Sequence, residues 1–167
     1  MRFRLIDQII EAVPGQRLRA VKNLTLGEEY LADHFPSFPV MPGVLMLESL
    51  VQAGAWLVRL SEDFRHSVIV LREVRGVKYG NFVVPGSRLD LSVEIAEKNT
   101  QNSATVAFKG NGEVDGVATV SARFAVERYN LREKRPDWAE LDDKLIRGFR
   151  NELATLRPSR PVSEGAS

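Results

Sequence analysis

Cysteine is absent from the 167-residue chain, and histidine occurs only twice, at His34 and His66. Without thiols there are no disulfides, no cysteine nucleophile and no thiolate ligands. Two histidines without a cysteine do not make a zinc site, so no metal is expected. Charge of one sign is missing too: 23 Lys and Arg stand against 22 Asp and Glu, for a net charge of +1. That balance excludes a general nucleic-acid binder, which would carry a basic excess. The opening MRFRLIDQII lacks the apolar core of a signal peptide, and a cytoplasmic protein is expected. What remains is an ordinary soluble composition at a length suited to one domain.

Of the eight prolines, three crowd between residues 36 and 42, directly after His34. Each fixes its own φ and biases the preceding residue towards an extended conformation. His34–Met41 is therefore predicted as a stiff, non-helical loop. Gly43 then opens an apolar run. Between Val44 and Leu60 there are enough apolar side chains to cover every side of a helix, and such a helix is a buried one. It is short for a membrane span, and Glu48, Ser49 and Gln52 interrupt it, so no membrane insertion is expected. Glu48 and Gln52 lie one turn apart on the same face, which offers Gln52 as a partner to a carboxyl that is costly to bury. Desolvation favours the protonated form of a carboxyl, which suits a general acid. The unused N–H groups at the helix start, at Gly43 and Val44, can hold a carbonyl oxygen that gains negative charge. A histidine, a carboxyl and an oxyanion site thus fall within one stretch.

Elsewhere the pattern is mostly that of strands. Leu5, Ile6, Ile9, Ile10 and Val13 recur at helical spacing and predict a short N-terminal helix ended by Pro14-Gly15. Arg17–Thr25 reads as a strand and Gly27–Asp33 as a polar lead-in. Ser61–His66 is a polar turn with His66 in solvent. Ser67–Tyr79 reads as a strand with an irregularity at Gly76. Arg88–Glu97 alternates most clearly, with Leu89, Leu91, Val93 and Ile95 on one side. Ala104, Val106 and Phe108 mark another strand, and Gly116–Glu127 the last. Asn111-Gly112 and Asp115-Gly116 both suit a tight hairpin. Trp138, Leu141, Leu145, Phe149, Leu153 and Leu156 then predict an amphipathic helix over Pro136–Leu156. The last segment, 157–167, is Pro- and Ser-rich and is expected to be disordered.

One antiparallel sheet wrapped around a single apolar helix accounts for this order, an α+β architecture. The motifs HFP, SFPV, MPGVL and LESLVQ in succession resemble the active-site signature of the β-hydroxyacyl-acyl-carrier-protein dehydratases of fatty-acid synthesis, the FabZ type. LRAVKNLTLGEEYLADHFP and FVVPGSRLDLSVEI are similar to that family as well, so the resemblance runs roughly from Arg17 to Val126. It implies a hot-dog fold over residues 1–130, with 131–156 as a helical extension. It implies a hydro-lyase that needs no cofactor and acts on an acyl chain borne by acyl carrier protein. It implies a homodimer, with dimers often grouped in threes, and a site shared across the dimer. His34 would take the α-proton, Glu48 would protonate the leaving hydroxyl, and the Gly43 N–H, with Val44, would hold the thioester oxygen. Gln52 would support Glu48, and Phe38 and Met41 would shape an acyl tunnel. Lys78, Arg75 and Arg88 are candidates for docking the acidic carrier protein. Ser37 stands where the family usually has Gly. Two other classes remain: a hot-dog acyl-thioester hydrolase and a non-catalytic acyl-thioester-binding subunit. The intact pair of His34 and Glu48 argues against both.

Overall fold

The computed structural model describes residues 3–35, 37–96 and 103–157. The tail expected to be disordered lies, apart from Arg157, outside them. Six strands form one antiparallel sheet: β1 (Gln8–Val13), β2 (Arg17–Asn23), β3 (Val68–Tyr79), β4 (Arg88–Ile95), β5 (Thr105–Val114) and β6 (Val117–Tyr129). Their order across the sheet is β1-β2-β4-β5-β6-β3. The long helix α1 (Gly43–Ser61) connects β2 to β3, which lie towards opposite edges. The chain must therefore cross the whole sheet while α1 is made, and the sheet curls around it. This is the hot-dog arrangement.

Alternation along the strands explains the burial. Leu18 and Ala20 of β2, Leu89, Leu91 and Val93 of β4, Val106 and Phe108 of β5, and Val120, Ala122, Phe124 and Val126 of β6 all turn inward. They meet Leu50, Ala53, Gly54, Leu57 and Val58 of α1. The helix sits close because Gly54 has no side chain: a Cβ there would be 3.0 Å from the Phe124 ring. That ring stacks on Phe108 with centroids 5.2 Å apart. Among the described residues α1 is the one helix long and apolar enough to cross a membrane. Here it is the core of the sheet.

Three expectations need correction. The N-terminal helix is strand β1, at the edge of the sheet. Its register on β2 shifts between Ile9 and Glu11, so a bulge breaks the two-residue period. Leu5, Ile6 and Ile9 stay buried while Ile10 is exposed, a spacing that imitates a helical face. Asn111-Gly112 does not turn. It lies inside β5, and only Asp115 and Gly116, with φ of 52° and 76°, make the hairpin to β6. Nor is His66 in open solvent: its Nδ1 lies 2.9 Å from Glu62 and the ring is largely covered. The irregularity at Gly76 is present, with φ of 60° and a shift in the β3–β6 register between Arg75 and Lys78.

The C-terminal helix α2 (Ala139–Leu156) follows a 3-10 turn at Pro136–Trp138. It returns along α1, where Phe149 meets Trp56 edge-on at 6.1 Å and Leu156 is buried. Asp142 holds it in place. This fully buried carboxylate accepts from Ser67 Oγ, from the Leu131 N–H at 2.8 Å, and from Arg132 through its backbone N–H at 3.0 Å and Nε at 2.9 Å. Burial alone would raise the Asp142 pKa. The Ser67, Arg132 and backbone donors outweigh it and hold the carboxyl well below the usual carboxylate range.

β3 is the opposite edge. It carries Val68, Ile69, Val70, Leu71, Val74 and Val77, yet none of its residues is buried in the single chain. Val70 and Leu71 are 41% and 40% exposed.

Candidate active site

His34 follows the short turn Glu29–Leu31, and its ring is partly buried. Its Nδ1 lies 3.0 Å from the Val40 carbonyl oxygen. A carbonyl only accepts, so in the neutral ring Nδ1 carries the proton and Nε2 keeps its lone pair as a base. The loop that arranges this is tightly tied. Phe35 packs edge-on against the imidazole, centroids 4.5 Å apart, with its backbone in the left-handed region at φ 51°. That conformation costs a non-glycine residue about 1–3 kcal/mol, so it persists only where the surroundings impose it. The Phe38 N–H donates to the Phe35 carbonyl at 2.8 Å, and the Met41 N–H to that of Val83 at 2.9 Å. Val40 is buried, which fixes the carbonyl that orients His34.

Pro42 caps α1 without a side-chain hydrogen bond. The Leu45 and Met46 N–H groups both turn to the Pro42 carbonyl, at 2.9 and 3.2 Å. Those of Gly43 and Val44 are left without a partner inside the helix. A Cβ on Gly43 would meet Tyr79 ring carbons at 3.1 Å, so β3 lies against this helix end. Val44 is 68% exposed.

Glu48 follows on the next turn, half-buried, and accepts from Gln52 Nε2 at 2.9 Å. Gln52 is itself oriented from outside the helix. Its Oε1 accepts from the Leu5 N–H at 2.9 Å, so its amide nitrogen must face Glu48 and, at 3.3 Å, the Phe3 carbonyl. The segment before β1 thereby fixes the Gln52 amide that donates to the Glu48 carboxyl.

Glu48 and Gln52 open onto a cleft of about 660 Å³ between α1, the free edge of β3 and α2. Its walls include Phe3, Trp56, Arg59, Ile69, Leu145 and Phe149. His34 is not among the lining residues. Met41 is core, 2% exposed, whereas Phe38 is 54% exposed and meets Phe82 edge-on at the loop surface. The three basic candidates are all exposed. Arg75 pairs with Glu73 and Arg88 with Asp90, while Lys78 has no ion pair among the described residues.

The sequence did not single out Phe3, Tyr79, Val83, Arg59 or the α2 wall. Phe3, Tyr79, Val83 and α2 come to the site through contacts between distant parts of the chain, whereas Arg59 lies on α1 itself, and none is in the proline-rich motif.

The FabA-like domain family model matches residues 1–123, reaching back past Arg17 and stopping before α2. The 3-hydroxyacyl-acyl-carrier-protein dehydratase FabZ of Myxococcus xanthus is 40% identical over 124 residues, covering 73% of this chain and 79% of its own. The protein of the same name from Anaeromyxobacter sp. strain K is 38% identical over 125 residues, covering 73% and 78%. Among solved structures, the dehydratase heterocomplex ApeI:P from Xenorhabdus doucetiae aligns at TM-score 0.63 with 18% identity, over 78% of this chain and 86% of that one. The smu.793 protein of Streptococcus mutans, bound to acetyl CoA, aligns at TM-score 0.57 with 12% identity, over 77% and 92%. These two likenesses concern the fold alone. The extent of the sequence match settles the kinship: the chain belongs to the FabA-like family.

Proposed function

We propose that this protein is a (3R)-hydroxyacyl-acyl-carrier-protein dehydratase of fatty-acid biosynthesis, working in the cytoplasm. The observation that carries the reading is His34, whose Nδ1 is turned to the Val40 carbonyl so that Nε2 is left for the substrate, in a chain 40% identical to a named dehydratase. His34 Nε2 takes the proton from the carbon next to the thioester carbonyl. The Gly43 and Val44 N–H groups hold the carbonyl oxygen as it becomes enolate-like, which matters because that carbon acid is weak. The electron pair then forms the double bond as the β-carbon to oxygen bond breaks. Glu48 gives its proton to the departing oxygen, which leaves as water. Return of the proton from His34 to Glu48 restores the site.

The His34 and Glu48 of one site come from two copies of the chain. The unburied apolar edge of β3, lying beside the Glu48 cleft, supports edge-to-edge pairing of two sheets. Dimers then group in threes. Residues 1–130 form the dehydratase domain and 131–156 its extension. Lys78, Arg75 and Arg88 receive the acidic carrier protein, with Lys78, which has no ion pair, leading. Gln52 supports Glu48, and the exposed Phe38 borders the entrance to the acyl tunnel, while Met41, packed in the core, backs the loop.

Incubation with 3-hydroxyacyl and saturated acyl thioesters tests the reading. An enoyl thioester is the expected product. Free thiol would mean a hydrolase instead, and neither product would mean a binding subunit.

A further inference from the structure

Of the three cations that line the cleft, Arg4, Arg59 and Lys144, only Arg59 is buried, and dehydration does not use it. Arg59 is 7% exposed and lines the cleft from α1. Its Nε is buried without a hydrogen-bond partner, and its guanidinium has no ion pair among the described residues. The nearby carboxylate, Glu152, is taken by Arg4 at 2.9 Å. Phe149 covers the guanidinium face at 3.8 Å from its ring centroid, with Trp56 at 5.5 Å. Rings on the faces leave the edges, where the donors lie, open to a planar acceptor. Burial pushes the Arg59 pKa down to about 10, with Glu152 opposing, so the group stays charged at neutral pH.

Position gives the cleft its sense. Glu48, Gln52, Ala55 and Arg59 all line it and recur at four-, three- and four-residue steps, one stripe on α1. We propose that this stripe is the floor of the acyl channel, and that Arg59 ends it as the receptor for a carboxylate at the far end of the acyl chain. The proposal rests on the dehydratase reading in placing the thioester end at Glu48. An alkyl end would leave a buried guanidinium without an acceptor, an arrangement that is costly. A carboxylate accepts from it twice and neutralises it. Lys144 of α2 lines the same cleft and adds a second positive charge.

Length follows from helix geometry. Glu48 and Arg59 are about three turns apart, roughly 16 Å along the axis. The arginine side chain leans back towards the helix start, which shortens the span. An extended hydrocarbon chain advances about 1.25 Å per carbon, from bonds of about 1.5 Å, so the chain has on the order of ten carbons beyond the reacting pair.

Two 3-hydroxyacyl thioesters of about twelve carbons, one ending in methyl and one in carboxylate, are compared by kcat/KM. The wild-type protein should prefer the carboxylate by about tenfold or more. Arg59→Met should bring the ratio to one or below, and Arg59→Lys should keep part of the preference. Saturated thioesters with the same two ends cannot react, and their binding by calorimetry should show the same preference. If neither hydroxyacyl thioester is dehydrated, the reaction reading fails, and the calorimetric ratio still decides the role of Arg59. A wild-type ratio of one or below overturns the proposal, including where Arg59 answers a carboxylate of a second copy. So does an unchanged preference in a folded Arg59→Met protein. If that variant does not fold, the wild-type ratio alone decides.

Discussion

Asp142→Asn keeps the shape of a buried side chain and removes its charge. The wild-type carboxylate accepts from Ser67 Oγ, the Leu131 and Arg132 N–H groups and Arg132 Nε. An asparagine has one acceptor oxygen. Its amide nitrogen would face donors, leaving at least one group buried and unpaired. Hydrogen bonds to a charged group contribute roughly 1.5–3 kcal/mol each and are not additive, so a loss of about 3 kcal/mol is expected. At this chain length that lowers Tm by about 6–12 °C. Hydrogen exchange should show α2 opening first, since the bonds tie it to Ser67 and to the residues after β6. The pH dependence has a definite sign. The folded-state pKa is depressed, so the stabilisation is complete above the unfolded value of about 3.9 and is lost as pH falls through the lower folded value. The difference between wild type and variant should therefore shrink in acid below about pH 4. Thermal melts from neutral to acid pH read both effects. A variant Tm within about 2 °C of wild type at neutral pH, or a gap that widens in acid, would refute the reasoning.

His34→Ala and Glu48→Gln should each lose at least about a hundredfold in turnover, measured as enoyl product, while circular dichroism stays unchanged. Near wild-type turnover in either would remove that residue from the mechanism. When these two inactive variants are mixed and allowed to exchange subunits, about half the dimers are hybrid and one of their two sites is intact, so roughly a quarter of wild-type activity should return. Demonstrated exchange with no recovery would put both residues in one chain. Gly54→Val should cost roughly 1–3 kcal/mol by urea denaturation, because its Cβ would press on the Phe124 ring at 3.0 Å. Gly148→Ala, which meets nothing within 4 Å, is the control and should be neutral or stabilising.

How far the fold could be read from sequence depended on whether local period and tertiary environment agreed. α1 was legible because a helix enclosed by a sheet is apolar on every side. β4 and β6 were legible because one of their faces is buried and the other is not. The stretch before Pro14 was misread because a bulge after Ile9 disturbs the strand period. Its β-branched residues, Ile9, Ile10 and Val13, were the available signal. Asn111-Gly112 has the composition of a turn, but the absence of a side chain at Gly112 serves packing: a Cβ there would come 2.7 Å from Val120. At the site, the Glu48–Gln52 bond followed from their spacing. The bond from the Leu5 N–H that orients Gln52 did not, since it joins residues 47 apart in sequence.

Arg59 was invisible for a different reason. In sequence it is a basic residue in the last turn of a helix, where such residues commonly meet the helix dipole. What changes its meaning is α2, which covers it with Phe149 and walls the cleft with Leu141, Leu145 and Gly148. The region matched to the family ends at residue 123, before that helix begins. His34, Val40, Gly43 and Glu48 all lie inside the matched region and are oriented by contacts within it. His34 and Glu48 therefore lie within the matched region, while the α2 wall of the cleft lies outside it. That wall depends on α2 remaining docked, and α2 is held by Asp142. Loss of the Asp142 bonds would leave His34 and Glu48 in place and open the cleft at its α2 wall.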